Sequence, residues 1–572
     1  MEKINKLKKL INSFGLDGYI IPKNDEFFSE YIPIFKDRLR YISNFTGSYG
    51  YALILKNKNY LFVDGRYKLQ AKLESGKLFT VILISKTFPV NIIKQKNLKI
   101  GYDPKLHTSR FLKSFFNKSN FELKSINHNL VDRLWIKKSR IKYEKFYTLP
   151  KKAYDLHYKS KLNQIIKILK RKKIDYQFIS SGENIAWLLN MRGRDSKYSP
   201  VTNAYLTISI KKQINLYCNL KKIKHSLRKQ LKNINFIDLK HLETNLLRLK
   251  NGKVLIDPSS CSEHFENIIG KKNKLLFQSD PVNILKSIKS KKEIKNMMKS
   301  HIYDGAAVTK FLFWIKNNYK KSKIDEMYAQ KKLLKFRKKN KDFKFSSFPT
   351  ISGSGPNGAI IHYRATPKSN RTLKNGDIYL VDSGGQYNYG TTDVTRTISL
   401  NNNNKRIKEI YTRVLKGHIG VASFKLSSKS YGAQLDGIAR KPLKEINLDY
   451  PHGTGHGVGY FLNVHEGPQS FSRYNKVILR KGMILSNEPG YYEDGKFGIR
   501  IENLIMIIES KRKKIFENLT MVPIDKTLIK KDMLKKKEID WLNNYHKKVF
   551  NKLKYLMNKS ELASLKSACS KI

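Results

Sequence analysis

The tightest constraint on this chain is a set of acidic residues between Asp382 and Glu502. I-Y-L-V-D-S-G-G ends an apolar run on Asp382, and G-T-T-D-V-T-R-T carries Asp393. H-G-T-G-H-G-V-G carries His456, with His452 beside it but outside the ligand set. S-N-E-P-G-Y-Y-E-D-G-K-F-G-I-R-I-E-N carries Glu488 and Glu502. Four carboxylates and an imidazole brought to one point repel one another strongly unless cations lie between them. An oxygen-rich, nitrogen-poor donor set suits hard or borderline divalent ions such as manganese. Two such ions balance four carboxylates and leave room for a bridging hydroxide.

Strand periodicity offers a route to convergence. Ile378–Asp382 and Thr392–Ile398 read as two β-runs around a glycine-rich turn, so a hairpin can put Asp382 and Asp393 on one face. Met483–Glu488 and Phe497–Ile507 read as a second hairpin, with Arg500 and Glu502 sharing a face. A loop with glycines at 453, 455, 457 and 459 delivers His456. Each acid taken singly reads as an ordinary surface or turn residue. The four acids and His456 in this order do not.

The 572 residues suggest about three or four domains. No apolar run approaches the roughly 18 residues of a membrane span. Met1–Leu10 is basic, with no continuous apolar segment and little Arg or Ser, so neither a secretory leader nor a transit peptide is expected. Cys218, Cys261 and Cys569 are odd in number and far apart, which argues against a disulfide framework and for the cytoplasm. A net charge of +67 would attract polyanions. The lysines are scattered, however, with moderate clusters at 286–299 and 331–344 and no zinc-finger, helix-turn-helix or RNP-type motif. The expectation is a solvated basic surface that binds polyanions nonspecifically at low salt, without a specific nucleic-acid site.

Three segments follow from the pattern. Residues 1–150 read as an α/β unit, with a helix around Leu7, Leu10, Ile11 and Phe14, a strand before Pro22 and a hairpin over Tyr49–Leu55 and Tyr60–Val63. Asp64 and Arg66 then read as a salt bridge at a strand end. Residues 151–285 repeat that plan, with Trp187 as a core residue. Residues 286–572 open with helices over Lys291–Asn317 and Ile324–Phe336. The glycine-rich Phe348–Ala359 is not a phosphate loop, because no Gly-Lys-Ser/Thr follows, and it is expected to feed a strand at Ala359–His362. Glu538–Leu556 reads as a closing helix with Trp541, Leu542, Tyr545, Val549 and Leu553 on its apolar face.

These motifs resemble the pita-bread metallopeptidases, and within them the long, three-domain cytosolic type of aminopeptidase P (Xaa-Pro aminopeptidase). The resemblance runs through R-L-R-Y-I-S-N-F-T-G-S, V-D-G-R-Y, I-A-W-L-L-N-M-R-G, I-I-H-Y, N-V-H-E-G-P and D-W-L-N-N-Y-H as well as the acidic patterns. The final stretch, Ser560–Ile572, has no counterpart in it. The resemblance implies two creatinase-like α/β domains followed by a pita-bread catalytic domain, and two Mn²⁺ ions, with Zn²⁺ or Co²⁺ as alternatives. It implies that Asp393 and Glu502 bridge the ions, that Asp382 serves one, and that His456 and Glu488 serve the other. Bridging hydroxide would attack the Xaa-Pro carbonyl while Glu488 shuttles the proton to the proline nitrogen. His362 and His465 would contact the substrate, His452 would line the proline pocket, Arg500 would orient carboxylates beside the peptide, and Arg66 would be a substrate contact. A homodimer acting on peptides with penultimate proline is implied. Prolidase, which usually lacks the middle domain, is the nearest rival. A non-catalytic scaffold binding RNA through its basic surface is the more distant one.

Overall fold

The computed structural model describes residues 1–84, 87–136, 144–510 and 513–572. Two compact units emerge: Met1–Pro150 with Leu156–Asn283, and Lys151–Asp155 with Ile284–Ile572. In the first unit, a six-stranded sheet runs in the order Thr80–Leu83, Asn59–Val63, Tyr51–Leu55, Gly18–Pro22, Lys99–Tyr102, Glu122–Ser125. The middle three strands pair antiparallel, and each flanking strand joins in parallel. A second sheet has the same order and directions: Asn235–Asp238, Ile214–Cys218, Ala204–Ser209, Tyr176–Ile179, Lys253–Ile256, Lys274–Phe277. The central strands are buried along their whole length, which is why Gly18–Pro22 and Tyr51–Leu55 read as apolar runs rather than alternations. Trp187 is a core residue.

The second unit is built from one arrangement used twice. Helices Lys291–Asn318 and Glu326–Lys338 precede an antiparallel sheet of Ile351–Ser354, Ile378–Ser383 and Val394–Ser399. Helices Lys405–Ala422 and Gly432–Lys444 precede a sheet ordered Glu466–Phe471, Gly455–Gly457, Ile484–Asn487, Asn503–Ser510, Lys513–Asn518. Period-two alternation decides what each strand offers. Tyr379, Val381, Val394 and Ile398 pack against Val308, Phe311, Leu312 and Ile315 of the long helix. Asp382, Thr395 and Thr397 are thereby turned to the opposite face. In the second sheet Leu485, Ile505 and Ile507 pack with Leu435 and Ala439, which turns Ser486 away from that core. The closing helix, Lys536–Leu553, buries Leu542, Tyr545, Val549 and Leu553, with Trp541 stacked on Tyr545.

Three local expectations are corrected. Ala359–His362 is not a strand. The strand lies earlier, at Ile351–Ser354, and Gly355–Ala359 is a 3₁₀ turn leading into a further turn at His362. Gly358 lies so close to Gly498 that a Cβ on the latter would meet the Gly358 carbonyl oxygen at 1.8 Å. Phe497–Ile507 is not one return strand. Phe497–Arg500 pairs with Gly490–Glu493, and only Asn503–Ser510 pairs with Ile484–Asn487. Pro489 has no N–H to continue the ladder, and the Ile501 N–H turns instead to the Pro489 carbonyl at 3.3 Å. His456 lies on a short strand, Gly455–Gly457, rather than in a loop.

The second pair of helices meets at Gly417, where a Cβ would stand 2.2 Å from the Ala439 carbonyl oxygen. Gly417→Ala is therefore expected to destabilise this unit by about 1–3 kcal/mol, read as a lower Tm in thermal unfolding.

Candidate metal centre

Asp382 occupies the next-to-last position of its strand, opposite Thr395, and Asp393 immediately precedes the partner strand. Glu488 and Glu502 sit in the two gaps that Pro489 and Ile501 leave in the second hairpin. His456 Nε2 is 3.5 Å from Asp393 Oδ2 and 3.5 Å from Glu488 Oε1. Ligand atoms of Asp393, His456 and Glu502 all lie within 4.8 Å of one another. Asp382 joins them through Arg500, whose Nη2 donates to Asp382 Oδ2 at 2.7 Å and whose Nε donates to Thr395 Oγ1 at 3.1 Å. Thr395 in turn donates to Glu502 Oε2 at 2.8 Å.

The donor set fits divalent cations. Each of Asp382, Asp393 and Glu502 uses one carboxylate oxygen in the contacts above and leaves the other, Oδ1, Oδ1 and Oε1, buried with no hydrogen-bond donor. Such atoms are costly to bury unless something positive faces them. Burial, and then the charges of Asp382 and Glu488, push the Asp393 carboxyl well above its ordinary range. Burial, and then Asp393, Glu488 and Asp382, do the same to Glu502. The imidazole is prepared as well. His456 Nδ1 lies 2.9 Å from the Gly457 carbonyl oxygen, to which it donates, so the Nε2 lone pair faces the acids. Ser486 ties the two ligand segments together: its hydroxyl donates to Glu488 Oε1 at 3.0 Å and accepts the His456 N–H at 2.9 Å.

The centre is closed at one end and open at the other. Asp393 and Glu502 are almost fully buried, whereas the side chains of His456 and Glu488 are each 18% exposed. The His465 ring lies 4.2 Å from the His456 ring at a steep angle. His452 is half-buried. Its Nε2 is 2.9 Å from the Tyr492 hydroxyl, which accepts from Arg500 Nη1 at 2.6 Å and is pushed to a pKa of about 12, chiefly by burial. His362 follows Ile361, whose carbonyl oxygen is 3.5 Å from Arg500 Nη2. Arg66 belongs to the first unit, where it forms the strand-end ion pair with Asp64 at 2.6 Å.

Sequence reasoning passed over Thr395, Ser486 and Tyr492. Ser486 was detectable as a polar residue two before Glu488 that ends the apolar run Met483-Ile484-Leu485, and Thr395 as a polar residue two after Asp393, whereas Tyr492, in Glu-Pro-Gly-Tyr-Tyr-Glu, left no such signal. It also passed over Arg396, which points the other way. Its guanidinium is fully buried and donates to the carbonyl oxygens of Glu502 at 2.6 Å, Val522 at 2.7 Å and Pro523 at 3.0 Å, and to Asn503 Oδ1 at 2.8 Å. An arginine between Val394 and Ile398 on a core-facing register was its signal.

Fold and site together define a pita-bread metallohydrolase. Residues 295–509 match metallopeptidase family M24, and 515–572 match the C-terminal region of that peptidase, which gives Ser560–Ile572 the counterpart that the motifs lacked. Residues 3–134 and 137–293 each match the creatinase/prolidase N-terminal domain. The chain is 37% identical to aminopeptidase P2 of Arabidopsis thaliana over 98% of its own length and 86% of that protein's. Its structure is similar to that of the X-prolyl aminopeptidase of Caenorhabditis elegans, a cytosolic enzyme with a di-nuclear active site. The TM-score is 0.94 at 30% identity, covering 100% of this chain and 99% of that one. The prolidase of Pyrococcus horikoshii matches 64% of this chain at a TM-score of 0.52 and 28% identity. The chain belongs to the aminopeptidase P family of M24 metallopeptidases.

Chelator treatment is expected to expose the repulsion among these acids as a fall in Tm. Asp393→Asn removes one of the repelling charges, so the stripped variant should melt several degrees above the stripped wild type. The same variant should bind added Mn²⁺ at least about tenfold more weakly, measured by calorimetry.

Proposed function

We infer that this chain is an Xaa-Pro aminopeptidase, releasing the N-terminal residue from peptides with proline at the second position. One observation carries the reading beyond metallopeptidase: the match to the nematode X-prolyl aminopeptidase spans the whole chain, whereas the prolidase match covers about two thirds of it. Asp382, Asp393, His456, Glu488 and Glu502 would hold two divalent cations, with Mn²⁺ the metal proposed. Bound there, such a pair supplies Lewis acidity toward the scissile carbonyl and acidifies water near neutral pH.

The chain's own residues supply the rest. Glu488 lies at the open end, its Oε1 held by Ser486, so its carboxylate can take a proton from the attacking water. It then delivers that proton to the proline nitrogen, which must be protonated to leave as a secondary amine. His362 and His465 donate N–H groups to the peptide as negative charge grows on the carbonyl oxygen. His452 lines the pocket for the proline ring, held at the correct depth by Tyr492. Arg500 fixes Asp382 and the backbone before His362. Proline specificity follows from chemistry: an Xaa-Pro bond offers no amide N–H, so recognition must use the ring.

A cytoplasmic location is supported by the cytosolic nematode relative and by three unpaired cysteines. No helix among the described residues is long and apolar enough to cross a membrane. A homodimer and nonspecific polyanion binding complete the reading.

Incubation of Mn²⁺-loaded protein with Arg-Pro-Pro, Met-Ala-Ser and an Xaa-Pro dipeptide tests it by mass spectrometry. Arginine is expected from the first peptide and nothing from the second, with kcat about a thousandfold lower in Glu488→Ala. Cleavage of the dipeptide alone would make the protein a prolidase. Cleavage of none, together with RNA binding that survives chelation, would make it a scaffold.

A further inference from the structure

Glu326 opens the helix Glu326–Lys338 and is completely buried. Its side chain gathers donors from well-separated points of one loop. Oε1 accepts from the Ser354 N–H at 2.8 Å, and Oε2 accepts from the Arg371 N–H at 2.9 Å and from the Tyr363 hydroxyl at 2.8 Å. The Asn357 amide donates to both oxygens, at 3.1 and 3.0 Å. The backbone of Glu326 adds two more ties, accepting from Ser352 Oγ and donating to the Arg371 carbonyl, each at 3.0 Å. The carboxylate also sits in the first turn of its helix, where the peptide dipoles favour negative charge.

These contacts begin, span and end the loop 352–371, which contains His362. It starts in the strand Ile351–Ser354 and the 3₁₀ turn Gly355–Ala359, and from 360 to 371 it is turns and irregular backbone only, the part that Tyr363 and Arg371 tie to Glu326. Tyr363, the neighbour of His362, is buried against Ile351 and Leu380, and its hydroxyl is shared between Glu326 Oε2 at 2.8 Å and the Ser369 carbonyl oxygen of the same loop at 2.7 Å. From the other side Arg500 reaches the Ile361 carbonyl. His362 is thus held between an arginine of the metal centre and a tyrosine fixed by Glu326.

We propose that Glu326 is a positioning residue for the peptide substrate: its carboxylate gathers Ser354, Asn357, Tyr363 and Arg371 and so fixes where His362 meets the scissile bond. The inference rests on His362 being a substrate contact. A carboxylate can accept at every position around its two oxygens, whereas an amide at the same place turns two N–H donors toward groups that are donors themselves. Glu326→Gln keeps the volume and removes the convergence. Tyr363→Phe removes one of the four donors and leaves Glu326 in place.

The test uses the full chain loaded with Mn²⁺ and compares wild type, Glu326→Gln, Tyr363→Phe, His362→Ala and the Glu326→Gln/His362→Ala double variant. Arg-Pro-Pro hydrolysis, the Mn²⁺ isotherm and Tm are measured for each. Glu326→Gln is expected to lose about tenfold or more in kcat/KM, and Tyr363→Phe about threefold, with Mn²⁺ affinity within about twofold of wild type. The double variant should be no worse than His362→Ala alone, because a positioning residue has nothing left to position. Losses that multiply in the double variant would overturn the inference and leave the His362 assignment standing. A fully active His362→Ala would overturn both. If Glu326→Gln does not fold, Tyr363→Phe decides in its place, paired with His362→Ala: a single-variant kcat/KM within experimental error of wild type, or multiplying losses in the pair, sinks the proposal.

Discussion

Four carboxylates that would repel one another are held around one imidazole, and much of the second unit exists to hold them there. Asp393 and Glu502 are buried deeply enough that their own charges are disfavoured. Left to themselves, the two hairpins would relieve that strain by moving apart. They are kept together by the hydrogen bond from Thr395 to Glu502 and by the Arg500 guanidinium, which bridges the Asp382 strand and the second hairpin, while Ser486 ties Glu488 to the His456 strand. The side chains are thereby held close together, so the cation binding proposed above would require little rearrangement of them.

Two buried arginines divide this work. Arg500 meets a carboxylate directly, so part of its charge is matched within the site. Arg396 points to the other side of the same sheet and donates to backbone carbonyls and to the Asn503 side chain, with the Tyr545 hydroxyl 2.9 Å away. It joins the Glu502 backbone to the segment at Val522–Pro523 and to the closing helix. A buried charge solvated by fixed carbonyl dipoles tolerates little displacement of any of them. The position of Glu502 therefore depends on residues up to Tyr545, far from the centre in sequence.

Much of this was legible before any coordinates. The repeated plan of the first unit shows in the spacing of its apolar runs, and Asp382 and Asp393 occupy one face because strand alternation places them there. Failures came where chain geometry departs from simple periodicity. Phe497–Ile507 alternates like a single strand, yet Pro489 on the opposing side ends the ladder, a constraint that acts between strands and leaves no mark within the run itself. Ala359–His362 looks apolar enough for a strand, but the donors of its loop are claimed by Glu326, about thirty residues upstream. Sequence windows register propensity. They do not register which distant acceptor a loop amide will find.

The interruption at Pro489 also separates two mechanical roles. Ladder strands transmit displacement along their length, so a ligand in mid-strand inherits every disturbance at the tip. Here the ribbon of Gly490–Glu493 and Phe497–Arg500 projects beyond the gap, with an exposed turn at Asp494–Lys496. Glu488 and Glu502 lie on the near side, each anchored through its own N–H, to Thr454 and to Thr395. The tip of the ribbon is thus free to lengthen, shorten or change composition during evolution while the acids stay in register, and the same turn is a tolerant place for an inserted epitope.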